Sequence, residues 1–118
     1  SFSVDEIIGY ATFKNNTDQD IELVGQFVID QLTDGHLISI CTDKCYPAKT
    51  SDFIAPGTLP LMANSTTADK EFSTHAYSRD ITNAMTFSSP GTNVVTYRIS
   101  VQGHPDEYVE FTTTFRFE

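Results

Sequence analysis

Alternation of apolar and polar residues is clearest near the end of the chain. Val95, Tyr97, Ile99 and Val101 share one parity, while Thr96, Arg98, Ser100 and Gln102 share the other. A repeat of two is the signature of a half-buried strand, because successive side chains leave a pleated backbone on opposite faces. The pattern resumes after Gly103-His104-Pro105-Asp106-Glu107, with Val109, Phe111, Thr113, Phe115 and Phe117 set against Glu110, Thr112, Thr114 and Arg116. The two runs predict an antiparallel hairpin closed by that five-residue loop.

A second hairpin is predicted nearer the start. Tyr10 to Lys14 forms its first strand, Asn15-Asn16-Thr17-Asp18 its turn, and Ile21 to Ile29 its second strand, in which Ile21, Leu23, Phe27 and Ile29 alternate with Glu22, Gln26 and Asp30. Gly25, on the inward parity, predicts a bulge or a close approach of backbone. Shorter strands are expected at His36 to Ile40, Ser51 to Ile54, Glu71 to Tyr77 and Asn83 to Ser88, separated by Asp34-Gly35, Pro56-Gly57, Asn64-Ser65-Thr66 and Pro90-Gly91. No window sustains helical spacing. About seven short strands predict an antiparallel β-sandwich as one domain over residues 9–118, preceded by a flexible lead-in at 1–8, with a small closed barrel as the structural alternative.

Composition narrows the function classes. Hydrophobic residues make up 39% of the 118, enough for a packed core and too many for a disordered tail. Sixteen acidic residues oppose seven basic ones, for a formal charge of −9, and the basic residues are scattered rather than clustered. A phosphate backbone would be repelled, so nucleic acid is excluded as the expected partner. No run is long and apolar enough for a membrane helix. Beginning at Ser1 rather than Met, the chain reads as a trimmed or mature form, so the lack of a leader does not count against export.

Both cysteines lie in Cys41-Thr42-Asp43-Lys44-Cys45-Tyr46-Pro47, just after a strand-like run. Thiols three residues apart can close a small disulfide ring in an oxidising compartment; two unpaired thiols, or half of a metal site, are the alternatives. A ring of five residues gives about 2 kcal/mol from chain entropy, so a bond here would brace a turn after the third strand rather than staple two sheets.

The order of a strand, then Ile40-Cys41 and Cys45-Tyr46-Pro47, a Pro-Gly turn, and Gly91-Thr92-Asn93-Val94-Val95-Thr96-Tyr97-Arg98-Ile99 resembles immunoglobulin-like domains of secreted and lipid-anchored proteins of the bacterial cell envelope. The resemblance spans roughly Tyr10 to Phe117. It implies export and an accessory role, and it transfers no catalytic residue to this chain.

Other chemistry is sparse. Asn16, Asp18 and Asp20 are spaced like the first ligands of a calcium loop, but Ile21 and Phe27 stand where an EF-hand needs Gly and Glu. A looser calcium site could draw on Asp5, Glu6, Asp80 or Asp106. His36, His75 and His104 each adjoin a turn or strand end and are expected at the surface. Asn15-Asn16-Thr17 and Asn64-Ser65-Thr66 fit the N-glycosylation pattern and otherwise read as turns. No nucleophile elbow occurs. Tyr10, Tyr46, Tyr77 and Tyr108 are expected to be exposed, and Tyr46, Tyr77 and Tyr108 are the candidates for ligand contact.

The expected function is therefore a non-enzymatic module, structural or protein-binding, exported to the periplasm, outer membrane or cell surface. A protein or cell-surface component is the expected partner, a lipid anchor could lie upstream, and no cofactor or resident metal is expected. A carbohydrate-binding module is the first competing reading, and a small metal-dependent enzyme using the cysteines and histidines is the second.

Overall fold

A computed structural model describes residues 2–118. Seven strands form two antiparallel sheets: β1 (Glu6–Ala11), β2 (Ile21–Gln31), β3 (Leu37–Cys41), β4 (Phe53–Leu61), β5 (Phe72–Tyr77), β6 (Gly91–Val101) and β7 (His104–Phe117). One sheet has the order β1-β5-β3 and the other β4-β2-β6-β7. No helix occurs among the described residues. This is the all-β, seven-stranded sandwich that the alternation predicts.

The core lies between the sheets. Ile38 and Ile40 on β3 and Phe72 and Ala76 on β5 meet Leu23 and Phe27 on β2, Ala55, Leu59 and Leu61 on β4, and Val95, Tyr97, Ile99, Phe115 and Phe117 on β6 and β7. Along β2 and β6 these residues alternate with more exposed ones, the period of two expected of a strand with one face on the core, whereas on β3 and β5 the intervening Ser39 and Ser73 are buried as well. Gly25 provides both features expected of it. The β2–β4 register shifts between Val24 and Gln26, and a Cβ at Gly25 would lie 2.8 Å from Thr42 Cγ2 and 3.0 Å from Ile40 Cδ1 in the facing sheet.

Five details of the sequence reading are corrected. The first strand does not form a hairpin with β2. It runs from Glu6 to Ala11 and pairs with β5 in the other sheet, while Lys14 makes only an isolated bridge to Thr66. Glu6 to Ile8 therefore belong to a strand rather than a lead-in, and Ser78 fixes the preceding residues by donating from N to Asp5 O and from Oγ to Val4 O; Ser1 lies outside the described residues. Of the expected Ser51 to Ile54, only Phe53 and Ile54 are strand, and they start a nine-residue strand that continues through Pro56-Gly57. Proline is tolerated there because β4 is an edge, where a missing N–H need not break a ladder. Asn83 to Ser88 is turn and irregular chain, held by Asp80 and Asn83 side chains that accept from backbone N–H groups two residues on. Finally, the β6–β7 turn is Gln102-Gly103, with Gly103 at φ 83°; Val101 pairs with His104 and Ser100 with Tyr108, so residues 105–107 form a bulge instead of a loop.

His36 is also misplaced by sequence reasoning. It is fully buried. Its Nε2 donates to Ser89 O at 2.9 Å, and Asn93 Nδ2 donates to its Nδ1 at 2.9 Å. Asn93 Oδ1 in turn accepts from Thr33 N at 2.8 Å. The ring is thus a satisfied core group joining the β2–β3 connection to β6, with its edge against Phe117.

Candidate functional site

The outer face of the β1-β5-β3 sheet gathers most of the reactive side chains of the molecule. Strand alternation turns Phe72, Thr74 and Ala76 inward and leaves Ser73, His75 and Tyr77 facing outward. The register sets Ile8 and Ser39 beside His75, and Tyr10 and Cys41 beside Ser73. Glu6, two residues before Ile8, reaches diagonally across to His75.

At the end of β3 the chain reverses through Thr42-Asp43-Lys44. Thr42 N donates to Lys44 O at 3.0 Å, and Tyr46 N donates to Ile40 O at 3.2 Å. This brings Cys45 opposite Cys41, and the two form a disulfide. The bond pins a tight turn after the third strand, as the spacing predicts. The same turn carries a polar clamp. Tyr46 Oη donates to Asp43 Oδ1 at 2.7 Å and accepts from Gly57 N at 3.0 Å. The hydrogen bond from Tyr46 holds the Asp43 carboxyl below its ordinary 3.8, and burial pushes the Tyr46 hydroxyl above its ordinary 10.0.

His75 is the hub of the face. Its Nδ1 lies 2.7 Å from Glu6 Oε2. Its Nε2 lies 2.8 Å from Ser73 Oγ and 3.3 Å from Cys41 Sγ. The Glu6 carboxylate can only accept, so Nδ1 carries a proton, and Nε2 is the ring nitrogen turned toward the hydroxyl and the sulfur. Tyr77 stacks on the imidazole at 6.3 Å. Among the described residues, Cys41, Cys45 and His75 form the one group of three potential metal ligands whose donor atoms all lie within 4.8 Å of one another.

The remaining candidates are dispersed. Tyr46 is buried rather than exposed, because its hydroxyl is the keystone of the turn and its ring packs on Phe53; it offers no surface for stacking. Tyr77 is half-buried. Tyr108 is exposed, with the Arg98 guanidinium 4.2 Å from its ring centre. Tyr10 is exposed and Lys70 lies over its ring. His104 is exposed at the β6–β7 turn. The acidic residues considered for calcium do not gather into a group of three. Asp20 accepts from Ala63 N, Asp5 pairs with Arg79, and Asp80 holds Thr82. Asn15 is buried and donates from Nδ2 to the carbonyls of Gln19, Leu61 and Met62, which removes it as a glycosylation acceptor in the folded chain.

Neither a family model nor a curated protein matches the chain. A solved structure does. The chain is similar to the N-terminal domain of PorA, with a TM-score of 0.56 and 16% sequence identity, covering 89% of this chain and 73% of that one. At that identity the likeness concerns the fold.

Sequence reasoning considered Glu6 only for calcium and expected His75 at the surface, so it missed their pairing and the place of His75 beside Cys41. Nothing in the spacing of Glu6, Cys41 and His75 signals their convergence, because it depends on β1 pairing with β5 and β5 with β3.

Proposed function

We propose that the chain is a non-enzymatic, exported module of a bacterial envelope that binds a protein partner through one end of the sandwich. The observation that carries the binding role is an apolar surface at that end. Phe2, Met85 and Phe87 are 91%, 82% and 86% exposed, and Val4 and Ile81 are exposed with them. The 79–90 segment is tied to the N-terminal segment through Ser78, which donates to Asp5 O and accepts from Ser89 N. Phe2, Val4, Ile7, Pro90 and Phe117 line a groove between these parts. Large apolar side chains held out in water by ordered backbone mark interaction surfaces.

Export is supported by the disulfide, since such bonds persist in oxidising compartments. The kinship with immunoglobulin-like envelope domains is supported by strand placement. Variable-type immunoglobulin sheets include the orders B-E-D and C′-C-F-G; β1, β5, β2, β6 and β7 take the places of B, E, C, F and G, while β3 and β4 stand at D and C′ but exchange their order along the chain. The similarity to the PorA N-terminal domain fits the same reading.

Glu6, His75 and Ser73 are aligned like a serine-hydrolase relay, yet their setting favours a structural role. Ser73 is buried within the central strand of its sheet, with both flanking strands paired to it, so its backbone is engaged where a hydrolase presents free N–H groups to an oxyanion. The test of the binding role uses immobilised protein and a detergent-free envelope fraction. Wild type should retain a component that a Met85→Ser/Phe87→Ser variant releases and a Tyr108→Ala variant keeps. Equal retention by wild type and the double variant refutes the apolar end as the binding surface; loss of binding only in Tyr108→Ala, together with a signal on a glycan array, transfers support to the carbohydrate reading.

A further inference from the structure

We propose that reduction of the Cys41–Cys45 disulfide converts the outer face of the β1-β5-β3 sheet into a site for one zinc ion, held by both thiolates and His75 and oriented by Glu6. This goes beyond the envelope-module reading and does not depend on it.

The donor set has the softness that zinc prefers, two thiolates and an imidazole, and three protein ligands leave a fourth tetrahedral position for water. Two ligands already stand near the required separation. Zn–S bonds of about 2.3 Å and Zn–N bonds of about 2.05 Å at a tetrahedral angle place sulfur and nitrogen about 3.6 Å apart. Cys41 Sγ and His75 Nε2 are 3.3 Å apart. The thiolates themselves must sit about 3.8 Å apart on the same geometry, which the reduced turn can supply by rotation of the exposed Cys45 side chain. Cys41 and His75 are fixed by strand register and need little rearrangement.

The second observation that points to a metal is Glu6. A metal-bound imidazole commonly donates its other N–H to a carboxylate, which sets the tautomer and raises the basicity of the ligating nitrogen. Glu6 Oε2 accepts from His75 Nδ1 at 2.7 Å and leaves Nε2 facing the sulfur. Ser73 Oγ lies 2.8 Å from the same Nε2 in the oxidised state and gives way when zinc arrives.

The chemistry balances with a named reductant. A dithiol reduces the protein disulfide by exchange, its two sulfurs ending as a disulfide while Cys41 and Cys45 become thiols; zinc then displaces the two thiol protons to solvent. Re-oxidation by exchange with a small-molecule disulfide, which takes up the two electrons and leaves as two thiols, closes the Cys41–Cys45 bond and expels the ion. Disulfide and zinc site are therefore mutually exclusive states of one turn.

The experiment titrates the full chain with zinc or cobalt(II) after reduction by a water-soluble phosphine, which takes up the oxygen of one water as the disulfide gains two electrons and two protons and does not leave a competing dithiol in solution. Expected are one equivalent of zinc bound to reduced protein, thiolate-to-cobalt charge-transfer absorption, and no uptake by oxidised protein. Cys45→Ser and His75→Ala should abolish tight binding, and Glu6→Gln should weaken it about 10- to 100-fold with the cobalt spectrum retained. His104→Gln should bind like wild type. Far-ultraviolet circular dichroism of each reduced variant separates loss of a ligand from loss of the fold. Equal uptake by oxidised and reduced protein, full affinity in folded His75→Ala, or no uptake by folded reduced wild type each overturns the proposal.

Discussion

Replacing Tyr46 by Phe removes a single oxygen and tests whether that oxygen holds the disulfide turn against the edge of the facing sheet. The aromatic ring is kept, so its contact with Phe53, at 5.5 Å between ring centres, survives. Two hydrogen bonds do not. A bond to a charged acceptor contributes about 1.5–3 kcal/mol, and the low end applies because water can re-solvate the exposed Asp43 carboxylate. Gly57 N–H loses its acceptor and adds about 1 kcal/mol or more. The expected loss is about 2.5 kcal/mol, which at a urea slope of about 1.5 kcal/mol/M lowers the midpoint by about 1.7 M with the slope unchanged.

The pH dependence of this loss has a fixed sign. The folded-state carboxyl of Asp43 lies below its ordinary 3.8. Its stabilisation is therefore fully present above the unfolded value and lost as pH falls through the lowered folded value. Urea melts of wild type and Tyr46→Phe should be well separated at pH 7 and converge below pH 3.8, leaving the smaller contribution of Gly57 N–H. A midpoint shift under about 0.3 M at pH 7, or a separation that grows in acid, would refute the assignment of the clamp to this hydroxyl.

The remaining predictions address other positions. Gly57→Ala would set a Cβ 2.6 Å from Tyr46 Oη and against the Asp43 carboxylate, so it should cost about 1–3 kcal/mol in wild type and less in the Tyr46→Phe background, as a double-mutant cycle of melts will show. Gly25→Ala drives a methyl against Thr42 and Ile40 across the sandwich and should cost about 1–3 kcal/mol, read from the same melts. Tyr97 buries a hydroxyl with no hydrogen-bonding partner; Thr74 faces it without meeting bonding geometry. Tyr97→Phe should therefore be neutral or stabilising by up to about 1 kcal/mol. Burial raises the Tyr97 pKa above 10.0, so wild type should lose stability above pH 10.0 more steeply than this variant. Removing both cysteines as Cys41→Ser/Cys45→Ser should cost about 2 kcal/mol in thermal or urea melts, consistent with a brace on a five-residue ring.

The strands readable from sequence were those with long, clean alternation. Val95 to Val101, Phe111 to Phe117 and Ile21 to Ile29 each bury one parity against the opposite sheet, so the pattern states the fold directly, whereas Val109 continues the alternation but stays exposed. β4 was obscured because Pro56-Gly57 is a turn signal wherever both ladder sides are needed, and only its place at an edge makes it strand. β1 was assigned to the wrong neighbour for a different reason. Nearness along the chain favours a hairpin with β2, but Ile7, Phe13 and Ala11 pack on the core beneath β5, more than sixty residues away in pairing. The same long-range pairing explains the candidate site. Cys41 and Cys45 are close in sequence and their bond was legible; Glu6 and His75 reach it through strand register, which no local pattern records.

The two prolines of β4 bear on how this protein behaves at high concentration. An open edge grows by accepting the strand of another molecule, and each new pairing requires N–H groups that Pro56 and Pro60 lack. Self-assembly through the four-stranded sheet is therefore blocked at one border and left to β7 at the other. Ordered assembly through this sheet should therefore take β7 as its template strand, and charges placed there should suppress it.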